Sequence, residues 1–361
     1  MNNERISSRQ LTWLIISVNL SSSLVLGPST IIFYAQHNAW LAVVLATLLV
    51  ALGALINILL LKCFPGQTVV QFAQSLLGLW FGKLVGLCYA LVSLYMVGIC
   101  LRMITQLVKM TLMPETPLGV FVLGLTLLVV YSAWLGLEAI ARANDVILPV
   151  SMLALFFLFL LALPQGRLYW GMPVFQVNLG ELYKGMNVPF ACFAEVFFIL
   201  IIAPVLNKPA ELKTSVLKGI LVAGLILTMV VQIVLFLMGS YRASAYFVPL
   251  LRIAEELNIL DIFERFEPLV LAGWLMINSV KMSLLTYSFA LSLTQVINGS
   301  NYRRLLFITI FALPLLAYLP KNLAEVLRIY VEIVAFRILI PIVFLVLPGF
   351  LLILAKVKKH V

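Results

Sequence analysis

Three ionisable side chains stand inside apolar runs, and they mark where chemistry is expected. Glu195 lies in Ala191-Cys192-Phe193-Ala194-Glu195-Val196-Phe197-Phe198. Lys281 ends Trp274-Leu275-Met276-Ile277-Asn278-Ser279-Val280-Lys281, with too many apolar residues on both sides to snorkel to water. Arg102 lies nearer the end of a third run. A charge at mid-membrane costs about 2.5–3.5 kcal/mol even on insertion scales, so such groups face a cavity or a partner. Glu195 is suited to holding a proton, binding a substrate ammonium or pairing with a base. Lys281 is suited to serving as a fixed cation between the first and eighth helices, to pairing with Glu195, or to holding a carboxylate. For both, a structural role is the alternative: a carboxyl hydrogen-bonded to backbone, or an ammonium among carbonyls. Arg102 suits an acidic partner near the membrane surface as well as it suits a solute, and Tyr95 offers either a hydroxyl to a carboxylate or packing alone.

A second group is small and conformationally permissive. The first apolar run contains Ser21-Ser22-Ser23-Leu24-Val25-Leu26-Gly27-Pro28, and the sixth contains Gly185, Pro189, Phe190 and Phe193 ahead of Glu195. Gly27 tolerates unusual backbone angles and Pro28 lacks a donor, so an interruption is predicted there, with a counterpart at Gly185 and Pro189. Paired interruptions would bare backbone groups for a solute at the bilayer midplane; the plainer reading is a pair of kinks. The three serines suit close helix contact or a pocket.

These residues need a membrane to hold them. Of 361 residues 63% are hydrophobic and only 11% are charged, and the mean hydropathy is +1.14. A soluble domain is about half apolar and one quarter charged, so this chain is all-α and membrane-embedded. About ten transmembrane helices are predicted, near 10–34, 39–62, 79–108, 117–137, 144–163, 186–206, 215–239, 266–295, 303–319 and 334–356. One set of connections carries Arg5, Arg9, Lys62, Lys83, Arg142, Lys208, Lys213, Lys218, Arg303, Arg304 and the C-terminal lysines, against the acids Glu4, Glu138, Asp145 and Glu211. That excess of positive charge assigns both termini to the cytoplasm. The net charge of +10 is then explained by orientation and anionic lipid, and no nucleic acid is required.

Other chemistries leave no trace in the sequence. The first helix has no small-residue cleavage site and reads as retained. Cys63, Cys88, Cys100 and Cys192 lack metal-ligand spacing, and no phosphate-binding loop, dinucleotide fingerprint or nucleophile elbow is present, so no cofactor, metal or enzymatic activity is expected.

The layout repeats. Between the second and third helices, Val69, Phe72, Ala73 and Leu76 fall at i, i+3, i+4 and i+7; between the seventh and eighth, Leu250, Ile253, Ala254 and Leu257 do the same. Five helices plus five, each half with an amphipathic insert on opposite faces, predict an inverted repeat within one transmembrane domain, 1–361, with halves 10–163 and 186–356.

Several segments together carry a family resemblance. They are Ile6-Ser7-Ser8-Arg9-Gln10-Leu11 before a polar first helix, Gly82-Lys83 with Gly86, Arg102, Glu138 with Arg142, Glu195, and Glu264-Arg265-Phe266-Glu267 followed by Trp274. In these the chain resembles the B subunits of GerA-type spore germinant receptors, in the amino acid–polyamine–organocation superfamily. The resemblance implies a leucine-transporter-like permease fold in the inner membrane of bacterial endospores, sensing of small germinants (chiefly L-amino acids), and action with A and C subunits. It leaves open a proton-coupled amino-acid symporter, or a channel component that releases ions or solutes. Where relatives often have a glycine-rich break in the first helix, this chain has Ser21-Ser22-Ser23-Leu24-Val25, which should narrow or reshape the pocket. Glu264, Arg265 and Glu267 are expected to hold the outer insert in place, or else to form a solvated charged face.

Overall fold

The computed structural model describes residues 4–172, 178–257 and 267–358. Among these residues eight stretches are long and apolar enough to cross a membrane. The first, Ser8–Cys63, holds two helices, α1 (Ser8–Ala35) and α2 (Ala39–Cys63). The short helix α3 (Val69–Leu77) follows, then α4 (Leu79–Thr111), α5 (Leu118–Leu135) and α6 (Leu137–Ala162). The sixth span runs through α7 (Leu179–Ala194), a 3-10 turn at Glu195–Phe198, and α8 (Ile199–Ile202). Next come α9 (Leu212–Ala245), the second short helix α10 (Pro249–Glu256), α11 (Glu267–Val296) and α12 (Arg303–Tyr318). The last span passes from α13 (Leu323–Glu325) through π-helical Val326–Leu339 and Ile342–Val346 into α14 (Leu347–Val357). With α12 added to the eight stretches, the described residues account for the ten expected spans.

Local chemistry fixes the starts of the helices. Ser7 and Gln10 form a reciprocal capping box on α1, and Thr68 and Gln71 form another on α3. The insert α3 packs its Val69, Phe72, Ala73 and Leu76 face inward, as its spacing requires. Leu52, Trp80, Phe81, Leu127, Phe156 and Phe311 are exposed on the outside of the bundle, where lipid is the matching solvent. At the centre, α1 packs on α9, α7 and α11, while α11 also leans on α4 and α6. Both central helices are buried along most of their length, so they position whatever the interior does.

Three expectations need correction. The fifth span begins at Leu137, so Glu138 and Arg142 lie on α6 with Asp145 and not in a connection before it. Gly136, at φ 99°, makes the break, and Glu138 pairs with Arg142 one turn on at 2.6 Å. The first helix is unbroken: α1 continues through Gly27 and Pro28. A proline removes one backbone bond, and the serine hydroxyls keep to the helix, Ser21 donating to the Val18 carbonyl at 2.7 Å and Ser23 to that of Asn19 at 2.6 Å. The sixth span, in turn, passes through Gly185 and Pro189 and tightens only at Glu195. Gly185 serves a close approach instead, since a β-carbon there would meet that of Ala35 at 2.9 Å.

Candidate functional site

The two buried charges meet. The Lys281 ammonium of α11 lies 2.5 Å from Oε2 of Glu195, and both side chains are only 2% exposed. The same ammonium donates to the Ser22 hydroxyl of α1 at 2.5 Å. Three elements converge here: the midpoint of α1, the 3-10 turn of the sixth span, and α11. The 3-10 winding at Glu195–Phe198 offers a reason for the location, because a tighter turn re-aims a side chain that an α-helix would carry elsewhere.

One turn away, α11 grips α1 through the backbone. The Ser21 carbonyl accepts from Trp274 Nε1 at 2.5 Å and from Asn278 Nδ2 at 3.2 Å. Asn278 also accepts the Cys100 thiol at 3.3 Å, which brings α4 into the node. Trp274, Asn278 and Lys281 fall at i, i+4 and i+7, on one face of α11. Asn19, one turn before Ser22 and Ser23, is fully buried, and among the described residues neither Nδ2 nor Oδ1 of its side chain has a hydrogen-bond partner. From sequence none of Trp274, Asn278 and Asn19 is assigned to the site; the signal for Trp274 and Asn278 is their helical spacing from Lys281, and for Asn19 an amide inside an apolar run.

The other predicted residues fall as follows. Phe193 is fully buried in the main core. Phe190 is partly buried and meets Phe344 edge-on, ring centres 6.4 Å apart. Gly27 approaches Leu227 of α9. Tyr95 packs between the main core and a satellite cluster of Leu26, Ile99, Met103 and Val326. Arg102 donates to the backbone carbonyl of Lys321 at 3.4 Å. Glu267 opens α11, where a carboxylate suits the helix dipole; Glu264 and Arg265 lie outside the described residues. Among the described residues no three His, Cys, Asp or Glu side chains gather as a metal site would need.

At the end of the bundle that carries α3, the N-terminal segment closes over the interior. Glu4 accepts the Leu137 amide at 3.2 Å, the Tyr287 hydroxyl at 3.3 Å and the Tyr302 hydroxyl at 3.2 Å. Burial, and then the Glu4 carboxylate, push the Tyr302 phenol up to about 12, which keeps it a donor. Ile6 pairs through its backbone with Val205 and Asn207 just after α8, and Gln10 reaches Asp145 at 3.0 Å. Tyr287 lies on the helix that carries Lys281, so this closure and the buried pair share a rigid element.

The comparisons agree with this architecture. A family model described as spore germination protein matches residues 5–326. The spore germination protein YndE of Bacillus subtilis (strain 168) is 24% identical over 363 aligned positions, covering 99% of this chain and 98% of YndE. Spore germination protein KB of the same organism is 23% identical, with 99% and 96% covered. Among solved structures, a Na+-coupled sialic acid symporter in a substrate-bound outward-open state superposes with a TM-score of 0.68 at 9% identity, over 98% of this chain and 78% of the symporter. MhsT in complex with L-phenylalanine gives a TM-score of 0.64 at 14% identity, with 98% and 89% covered. At such identities the likeness establishes the leucine-transporter-like fold. An apolar ten-span bundle of that fold is an integral membrane protein, and with the family match over most of its length the chain belongs to the spore germination protein family.

Proposed function

We propose that the chain is the germinant-sensing B subunit of a spore germinant receptor, and that it binds a small zwitterion, an L-amino acid, where Glu195, Lys281 and Ser22 meet. The observation that carries this is the ion pair itself. Two charges 2.5 Å apart and 2% exposed are seldom retained for stability alone, since apolar residues of similar volume do as well or better. They offer a zwitterion both complements it needs: an ammonium for its carboxylate and a carboxylate for its ammonium. Because α1 is unbroken and its amides are engaged in the helix, Lys281 and Ser22 take the carboxylate in place of bare backbone donors. Entry of the ligand replaces one internal ion pair with two, and this separates α11 from the sixth span.

The halves 10–163 and 186–356 act in this reading as inverted repeats that shift against each other on binding. The A and C subunits receive that shift. Both termini lie on the spore-core side of the inner membrane, in accord with the distribution of basic residues. A second reading, proton-coupled amino-acid symport with Glu195 or Lys281 as the titrating group, draws on the same buried pair; uptake into proteoliposomes without partner subunits separates it from sensing.

The test is binding of labelled L-amino acids to the purified chain and to Glu195→Gln and Lys281→Met variants. Saturable binding is expected, weakened by about 2 kcal/mol or more in each folded variant, as for truncation of one member of a buried charged pair. Binding unchanged in both variants would remove the pair from the site.

A further inference from the structure

A cavity lies one helical turn from the ion pair, toward α10, lined by residues of α1, α4, α6, α10 and α11. Its position follows from the register of two helices. Leu24 and Val25 line it and come three residues after Ser21 and Ser22; Ile277 lines it and comes four residues before Lys281. Its remaining walls are almost wholly aliphatic, Met152 and Leu155 from α6 and Leu251 from α10 among them.

Among the described residues two polar side chains reach the wall, and both are spent elsewhere. The Ser151 hydroxyl donates to the Gly273 carbonyl at 2.9 Å, and the Trp274 indole donates to the Ser21 carbonyl at 2.5 Å. A water inside would find few partners, and apolar cavities of this kind stay dry and accept apolar guests. The space is small. Its volume is about 30 Å³, where one water needs roughly 10–15 Å³. That is room for about two or three water-sized groups, the scale of a small branched alkyl group and too small for an aromatic ring.

Building on the zwitterion reading above, we infer that this cavity is the side-chain subsite of the ligand and that it selects branched aliphatic amino acids, valine and leucine in type. The charged ends of the ligand meet Glu195 and Lys281, and its side chain runs along the α1–α11 seam past Ile277. In that position it touches α10 through Leu251, so occupancy is felt by the insert as well as by the pair. The seating of α10 over the cavity is itself held by Arg242 of α9, which pairs with Glu256 of α10 at 2.7 Å.

The experiment is competition among L-alanine, L-valine, L-leucine and L-phenylalanine for the full chain in lipid nanodiscs, with Ala154→Leu to fill the cavity and Ile277→Ala to enlarge it. L-valine and L-leucine should bind at least about tenfold tighter than L-alanine and L-phenylalanine, the discrimination a pocket gives for a methylene or two. Ala154 lines the cavity; its substitution by Leu should erase that advantage, and thermal unfolding of the variant shows independently that it is folded. Ile277→Ala should move the preference toward L-phenylalanine. If the four bind but their order ignores both substitutions, the subsite assignment is wrong while the zwitterion site stands. If Ala154→Leu instead lowers the lipid that copurifies and alters no amino acid, an acyl chain owns the cavity and the assignment is again wrong. If none of the four binds the unaltered chain, the zwitterion reading fails and this inference goes with it.

Discussion

Lys281→Met alone is expected to destabilise the protein by about 3–5 kcal/mol, and Glu195→Gln added to it is expected to return most of that loss. The asymmetry comes from burial. Lys281 satisfies a carboxylate that is 2% exposed, and without it Glu195 must either take up a proton or remain an unpaired charge in a medium that solvates it poorly. Removing both charges removes both desolvation costs, and methionine and glutamine nearly keep the volume. Thermal unfolding of the two single variants and the double variant in one detergent measures the coupling. Function should part from stability: the double variant, though well folded, should not bind an amino acid. If Lys281→Met were as stable as the unaltered chain, the two side chains would not be paired in the folded protein.

Gly82→Val should dislodge the α3 insert. Gly82 opens the second turn of α4 directly against the backbone of α3, where a β-carbon would fall on Ala73 and Gln74. Backbone cannot rotate away as a side chain tip can, so the cost exceeds ordinary overpacking of about 1–3 kcal/mol unless α3 lifts off. Two long-range bonds would then be lost, Thr68 to Gln295 at 2.6 Å and the Lys358 ammonium to the Leu76 carbonyl at 2.6 Å. Hydrogen exchange confined to Val69–Leu77 should rise sharply. Gly124→Ala on α5 is the control: nothing lies within 4 Å of its β-carbon, so the change should be neutral or stabilising by up to about 1 kcal/mol. Equal behaviour of the two variants would mean that α3 does not rest on α4 as described.

These two cases also show what could be read in the chain before its structure. A charge deep in an apolar run is conspicuous because the membrane penalises it, so Glu195 and Lys281 stood out, and their pairing was among the alternatives. The inserts were legible because amphipathic spacing of i, i+3, i+4 and i+7 is local. The glycine pair Gly82 and Gly86 was visible only as a motif, since its reason, the approach of α3, is a contact between elements. The break in α1 was misread: Gly27 and Pro28 permit an interruption, but Ser21 and Ser23 satisfy themselves within the helix and nothing compels one. The fifth span was begun too late because Glu138 and Arg142 look like a loop until Glu4 is seen capping the helix at Leu137. Trp274 and Asn278 stand at helical spacing from Lys281, but their bonds to the Ser21 carbonyl join distant segments, and no local pattern names that partner.

The central claim is that a zwitterion opens the Glu195–Lys281 pair and satisfies both members. Its most direct test compares an L-amino acid that binds with its decarboxylated amine and its N-acetyl derivative, each lacking one charged end. Each analogue leaves one buried charge without a partner, so each should bind weaker by about 2 kcal/mol or more, roughly thirtyfold. An amine or an N-acetyl derivative that bound as tightly as the amino acid would contradict the claim, because one member of the pair would then have no part in recognition.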